Sequence, residues 1–275
     1  MDPLAFGLVL GAAVLHAGWN LAIKASKDRL ITAWAQVTLG ALVFAPFLIG
    51  SGVPWEAWPS LLASTVVHLL YGLTLVTAYG HGDLSVVYPV ARGTAPVLVT
   101  VIAGIFLADW PTGPGLVAIA LVVAGVLLAA HRGSDHGIWW ALAVSGFIAA
   151  YTIIDGAAVR DLEGSFSYTV ALFLGNSLLF LPVLLWRRGA RAMGSFLRRN
   201  WLVSLAGGAA SAGAYTLVLI AARFASLGLV SAVRETSVVW GALGGWLLLR
   251  EADARSRMRG VALIVAGLVI LAVSR

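Results

Sequence analysis

Apolar residues run along this chain in long stretches, separated by short clusters of charged residues, glycine and proline. A helix that crosses a bilayer needs about 20 mostly apolar residues. Ten such stretches fit, at 3–23, 31–50, 60–80, 86–106, 112–130, 137–157, 166–186, 201–221, 228–249 and 257–274. The runs are continuous rather than alternating, which excludes a transmembrane β-barrel. The longest connection, Arg187 to Asn200, is too short for a soluble domain. The pattern therefore predicts an all-α membrane protein of ten transmembrane helices. Met1-Asp2-Pro3 leads straight into an apolar run and lacks the basic region and cleavage site of a signal peptide, so the first span is expected to be retained.

Composition agrees with this reading. Of 275 residues, 60% are hydrophobic and only 11% charged, against about 25% charged in soluble domains. Mean hydropathy is +0.95. The net charge of +6 would suggest nucleic acid in a soluble protein. Here the cations sit in short loops between apolar spans, where they act as topology signals, so no nucleic-acid partner is expected. Without cysteine, a thiolate zinc site and thiol catalysis are excluded. No metal or cofactor is expected.

Loops after odd-numbered spans hold thirteen Lys or Arg residues, and loops after even-numbered spans, with the tails, hold three. The positive-inside rule puts the odd loops in the cytoplasm and both termini outside. Trp55, Trp58, Trp110, Trp139, Trp140, Trp186 and Trp201 fall at span ends, as an interfacial belt requires. Trp19, Trp34, Trp240 and Trp246 lie inside spans, and packing explains Trp34 and Trp246.

The chain also repeats. Ala118-Ile119-Ala120-Leu121-Val122-Val123-Ala124-Gly125 resembles Gly260-Val261-Ala262-Leu263-Ile264-Val265-Ala266-Gly267, at an offset of 142 residues. The same offset pairs Arg92 with Arg234 and Thr94 with Thr236. A first five-helix repeat over 1–130 and a second over 131–275 follow. An odd number of helices per copy inverts the second copy in the membrane, an arrangement common in secondary transporters.

Ionisable groups inside spans are costly and mark functional sites by default. Arg92 and Arg234 each lie about 9 Å into a span, from opposite faces. His16, Trp19, Asn20 and Lys24 share one face of the first span, and Tyr151 and Asp155 share one face of the sixth. Glu235 follows Arg234, and Tyr88 precedes Arg92 by four residues. Arg234 has Glu235 or Asp155 as possible partners. Arg92 has no carboxylate at its depth in its own half, so an anionic ligand, backbone carbonyls or water could satisfy it. His68 reads as a packing residue. Pro89 and Pro96 flank Arg92, and Gly241, Gly244 and Gly245 allow close helix approach. No phosphate loop, metal cluster or nucleophile–base pair is recognisable, so an enzyme is not expected.

The runs His16-Ala17-Gly18-Trp19-Asn20 with Lys24, Tyr88-Pro89-Val90-Ala91-Arg92-Gly93-Thr94-Ala95-Pro96 and Val233-Arg234-Glu235-Thr236, with the acidic helix ends Asp109 and Glu251, resemble the drug/metabolite transporter superfamily, specifically EamA-type transporters. The resemblance implies two inverted five-helix repeats around a central cavity, working by alternating access. It implies a small-molecule substrate, with membrane lipid around the protein; a monomer and a dimer both fit. The His-x-x-Trp-Asn pattern is similar to a subgroup associated with phosphonate use. Several relatives place both termini in the cytoplasm, opposite to the charge count here. The expected site is His16, Trp19, Asn20, Tyr88, Arg92, Tyr151, Asp155, Tyr215, Arg234, Glu235 and Trp240, serving a small polar, anionic metabolite at the inner membrane. A flippase for lipid-linked sugars and a non-transporting assembly protein are the alternatives.

Overall fold

A computed structural model of the protein describes residues 1–81, 84–129, 137–162, 164–237, 239–240 and 254–273. The described residues are helical, with short turns between helices. The order is α1 (Pro3–Ala25), α2 (Arg29–Phe44), α3 (Phe47–Ser51), a 3-10 turn (Trp55–Ala57), α4 (Trp58–His81), α5 (Leu84–Leu107), α6 (Gly113–Ala129), α7 (Ile138–Ala158), α8 (Ser165–Arg188), α9 (Ala190–Ala221), α10 (Leu227–Arg234) and α11 (Ala254–Val273). Among the described residues, six helices are long and apolar enough to cross a membrane. The protein is a multi-pass membrane protein.

Local chemistry sets several boundaries. The Asp2 carboxylate accepts from the amides of Leu4 and Ala5, and Pro3 opens α1, so three of the exposed donors at that end are dealt with. Asp28 caps α2 through the Ile31 amide. The span expected at 31–50 is interrupted: α2 stops at Phe44 and α3 begins after Pro46, which cannot donate to a continuing helix. The connection expected from Arg187 to Asn200 is helical instead. Met193, Phe196 and Leu197 are spaced to share one face and pack on Leu30 and Ile31, while arginines occupy the rest. This amphipathic turn joins the membrane-spanning part of α9 at a kink, where Asn200 has φ −123°. The ninth span was expected to run from 228 to 249, but α10 ends at Arg234 and residues 235–236 form a turn. There the Thr236 hydroxyl takes the carbonyl of Val233, at 2.7 Å.

Helix ends gather on two faces. Asp28, between α1 and α2, pairs with Arg188 at the end of α8; His81 meets Trp140 on the same side. On the opposite face Ser51 meets Ser167, and Asp109 meets Arg160. These are called the 28/188 face and the 109/160 face. The outer surface between them is apolar: Ile49 is 89% exposed and Trp186 82%. The seven tryptophans expected in the interfacial belt are all exposed. Trp34 is buried, its indole donating to the Ser177 carbonyl.

α1 packs on α9 and α10, α2 on α8 and α9, α4 on α7 and α8, α5 on α7 and α10, and α6 on α11. Lipid offers little hydrophobic drive for helix association, so close backbone approach takes over. A Cβ on Gly40 of α2 would lie 2.5 Å from the Gly208 carbonyl oxygen of α9. One on Gly125 of α6 would lie 2.6 Å from the Gly260 carbonyl oxygen of α11, and one on Gly267 would lie 2.9 Å from that of Ala118. α6 and α11 are therefore antiparallel along their whole contact.

Candidate functional site

α5 and α10 meet at the centre of the bundle and bring Arg92 and Arg234 to one carboxylate. Arg92 Nε donates to Glu235 Oε2 at 2.8 Å, and its Nη2 reaches the Ser237 hydroxyl at 3.4 Å. Arg234 Nε lies 3.8 Å from Glu235 Oε1. Arg92 is 4% exposed, Arg234 3% and Glu235 0%. Two guanidiniums, which do not lose their protons, thus share one anion. Arg234 Nε and Nη2 and Glu235 Oε1 make no hydrogen bond among the described residues.

The local backbone helps to place these groups. Arg92 precedes Pro96 by four residues, so its own carbonyl receives no amide from the next turn of α5. α10 is anchored at its start: the Leu227 amide donates to Asp109 Oδ2 at 2.7 Å. That carboxylate also pairs with Arg160, which donates in turn to the carbonyl of Ala222 at the end of α9. At its other end α10 gives way to the turn at Glu235, and the carboxylate projects toward α5 from there.

A second polar group adjoins the first. The Tyr151 ring lies 6.0 Å from the Arg234 guanidinium carbon. His68 of α4 stacks on Tyr151 with ring centroids 4.1 Å apart, and its Nδ1 meets the Ser64 carbonyl. Asp155 is fully buried. Its Oδ1 accepts from the Tyr168 hydroxyl at 2.6 Å, and its Oδ2 accepts from the Tyr215 hydroxyl. Asp155 was expected as a possible partner of Arg234. Among the described ion pairs it has no arginine partner, because two phenols from α8 and α9 occupy both of its oxygens.

Small cavities lie on either side of the arginines. One of about 20 Å³ is lined by His16, Asn20, Tyr71, Ala91, Arg92 and Val144, among others, toward the 28/188 face. One of about 10 Å³ is lined by Thr152, Gly156, Tyr215, Leu227, Val230 and Arg234, among others, toward the 109/160 face. Each is near the size of a single water. At the cluster itself Glu235 from the second half stands between the two arginines, 2.8 Å from Arg92 and 3.8 Å from Arg234. The carboxylate that Arg92 lacked in its own half comes from the other half.

The structure brings His16, Asn20 and Arg92 together, and Tyr151, Asp155, Tyr215, Arg234 and Glu235 together. Trp19 stands edge-on to His16, with centroids 4.7 Å apart. The Asn20 amide donates to the His16 carbonyl within α1. Trp240 is 45% exposed. The side chains of Tyr88 and Lys24 lie outside the described residues, as do Gly241, Gly244, Gly245, Trp246 and Glu251. Sequence reasoning missed Tyr168 and set His68 aside as packing. A signal for Tyr168 existed: it is three residues from the start of α8, and Asp155 is three from the end of α7, so both lie at one depth.

Comparison with known proteins extends this picture. A Bacillus subtilis (strain 168) protein described as "Uncharacterized transporter YwfM" is 23% identical over 98% of this chain and 84% of its own length. A solved structure, described as "Crystal structure of protein", superposes with a TM-score of 0.76 at 16% identity, covering 97% of this chain and 96% of its own. That likeness speaks to the fold. The sequence pattern of the EamA-like transporter family matches residues 135–273, just over half of the chain. The protein is a membrane transporter that belongs to the EamA-like transporter family.

Proposed function

We propose that this protein is a secondary transporter that moves a small polar, anionic metabolite across the inner membrane by alternating access. The observation that carries the reading is the Arg92–Glu235–Arg234 cluster: one arginine from each half, both buried, with three formal charges that sum to one positive. Arg234 Nε and Nη2 make no hydrogen bond among the described residues, so they are donors that an anion drawn from water can use. The two small cavities flank this cluster toward opposite faces, as a closed intermediate between two access states requires. His16 and Asn20 would serve the ligand from one side, Tyr151 and Tyr215 from the other.

The packing supports ten spans in two inverted repeats. Exchanging α1 with α7, α2 with α8, α4 with α9, α5 with α10 and α6 with α11 turns the observed neighbours α1–α9 into α7–α4, α2–α9 into α8–α4, and α1–α10 into α7–α5, all of which are also observed. The α6–α11 seam obeys the same exchange. Ala118 meets Gly267 and Gly125 meets Gly260, while the sequence repeat aligns Ala118 with Gly260 and Gly125 with Gly267. Reciprocal contact of this kind is what a two-fold axis produces, and the antiparallel course puts that axis in the membrane plane. The cation count supports a cytoplasmic 28/188 face with the termini outside.

The test is a thermal-shift screen of purified protein against inorganic anions, amino acids, phosphonates and sugar phosphates, followed by uptake into proteoliposomes. A ligand that stabilises the wild type should bind Arg92→Gln about 10- to 100-fold more weakly, the equivalent of a lost charged hydrogen bond of about 1.5–3 kcal/mol. Equal binding by the variant sinks the site assignment.

A further inference from the structure

Asp155 differs from Glu235 in what surrounds it. The groups that face it are the hydroxyls of Tyr168 on α8, Tyr215 on α9 and Ser64 on α4, with the imidazole of His68 on α4 also near it and stacked on Tyr151. Arg234 and Glu235 of α10 lie beyond Tyr151, and Arg92 of α5 is engaged by Glu235. Among the described residues, no ion pair includes Asp155.

The hydroxyl setting accommodates two protonation states. The carboxylate accepts from both phenols. A carboxylic acid could instead donate to the oxygen of Tyr215, because a phenol both donates and accepts. Glu235 has no such freedom, since its nearest neighbours are permanent cations that only donate. Tyr215 also lines the cavity toward the 109/160 face, together with Thr152, and so stands next to both Asp155 and a water-sized space.

Charge balance links this group to the arginines. Among the described residues, with the histidines neutral, Arg92 and Arg234 oppose Glu235 and Asp155, and the buried sum is zero. A proton on Asp155 leaves one uncompensated positive charge. A monoanion entering the cluster without a proton leaves one uncompensated negative charge. Either alone is expensive in a bilayer, and together they cancel. We propose that Asp155 is the proton-binding site of this transporter, and that one proton and one anionic charge enter the cluster together. The proton comes from water, forms an O–H bond on Asp155 Oδ2, and returns to water on the other face when that bond breaks. The coupling rests on the anion reading above; the proton site does not.

Infrared difference spectroscopy of protein reconstituted in liposomes tests both parts. Acidification should raise a carboxylic-acid C=O band that is absent from Asp155→Asn and displaced in frequency in Tyr215→Phe. Asparagine keeps acceptors and donors in the same space, and Tyr168→Phe offers a second, milder displacement of the band. If the wild type never shows the band, or Asp155→Asn retains it, the proposal is wrong. Perfusion with methanesulfonate, a monoanion at every working pH, should then enlarge the same band at constant pH. Guanidinium bands that respond while the acid band stays still would overturn the coupling. No response of either kind to methanesulfonate or the other anions screened would count against the anion reading and its coupling, while the acid titration still decides the proton site.

Discussion

Glu235 and Asp155 are both fully buried carboxylates, one in an ion cluster and one among phenols. Glu235 stands at the broken end of α10, and cations from α5 and α10 compete for it. Asp155 lies in the last turn of α7 and is held by hydroxyls from α8 and α9. Equal burial therefore carries different chemistry. Removing one member of an ion cluster abandons the others in low dielectric. Removing the acid of a hydroxyl cluster strands only neutral groups. The first arrangement locks helices from two halves together, and the second tolerates a change of charge.

The largest effect expected from this contrast is at Glu235. Glu235→Ala leaves two buried guanidiniums without a carboxylate and should destabilise the protein by about 3–5 kcal/mol, read from the unfolding midpoint in mixed micelles. Asp155→Ala strands the Tyr168 and Tyr215 hydroxyls and should cost about 1–3 kcal/mol in the same assay. If the two variants unfold together, the distinction between the centres fails. Tyr168→Phe removes one of the two donors and leaves the acid in place, for about 0.5–1.5 kcal/mol. A Tyr168→Phe loss as large as that of Asp155→Ala would mean that the phenol, rather than the acid, organises that corner.

Much of the membrane architecture was legible because lipid imposes a simple rule. Backbone polar groups must be satisfied within each span, so long apolar runs read as helices. Exceptions were local. Pro46 divided the second span, Arg187 to Asn200 proved helical through its 193, 196 and 197 stripe, and α10 stopped at Arg234. Periodicity does not reveal such a stop, because the short polar run Arg234–Ser237 is followed at once by further apolar residues, Val238, Val239 and Trp240.

The candidate site divided along the same line. Burial of Arg92, Arg234, Glu235 and Asp155 followed from their positions inside apolar runs, because the cost of a charge in lipid drives it inward. Depth put Arg92 and Arg234 at matching distances from opposite faces, since rise along a helix is constant. Partner choice was not accessible in this way. The pairing of Arg92 with Glu235, 143 residues away, and the capture of Asp155 by Tyr168 and Tyr215 depend on how helices rotate about their axes and cross. Those angles come from backbone contacts such as Gly40 on Gly208 and Gly125 on Gly260. The sequence by itself determined which residues must leave the lipid and at what depth; only the tertiary structure decided which of them meet, because that depends on interhelical packing that no single helix encodes.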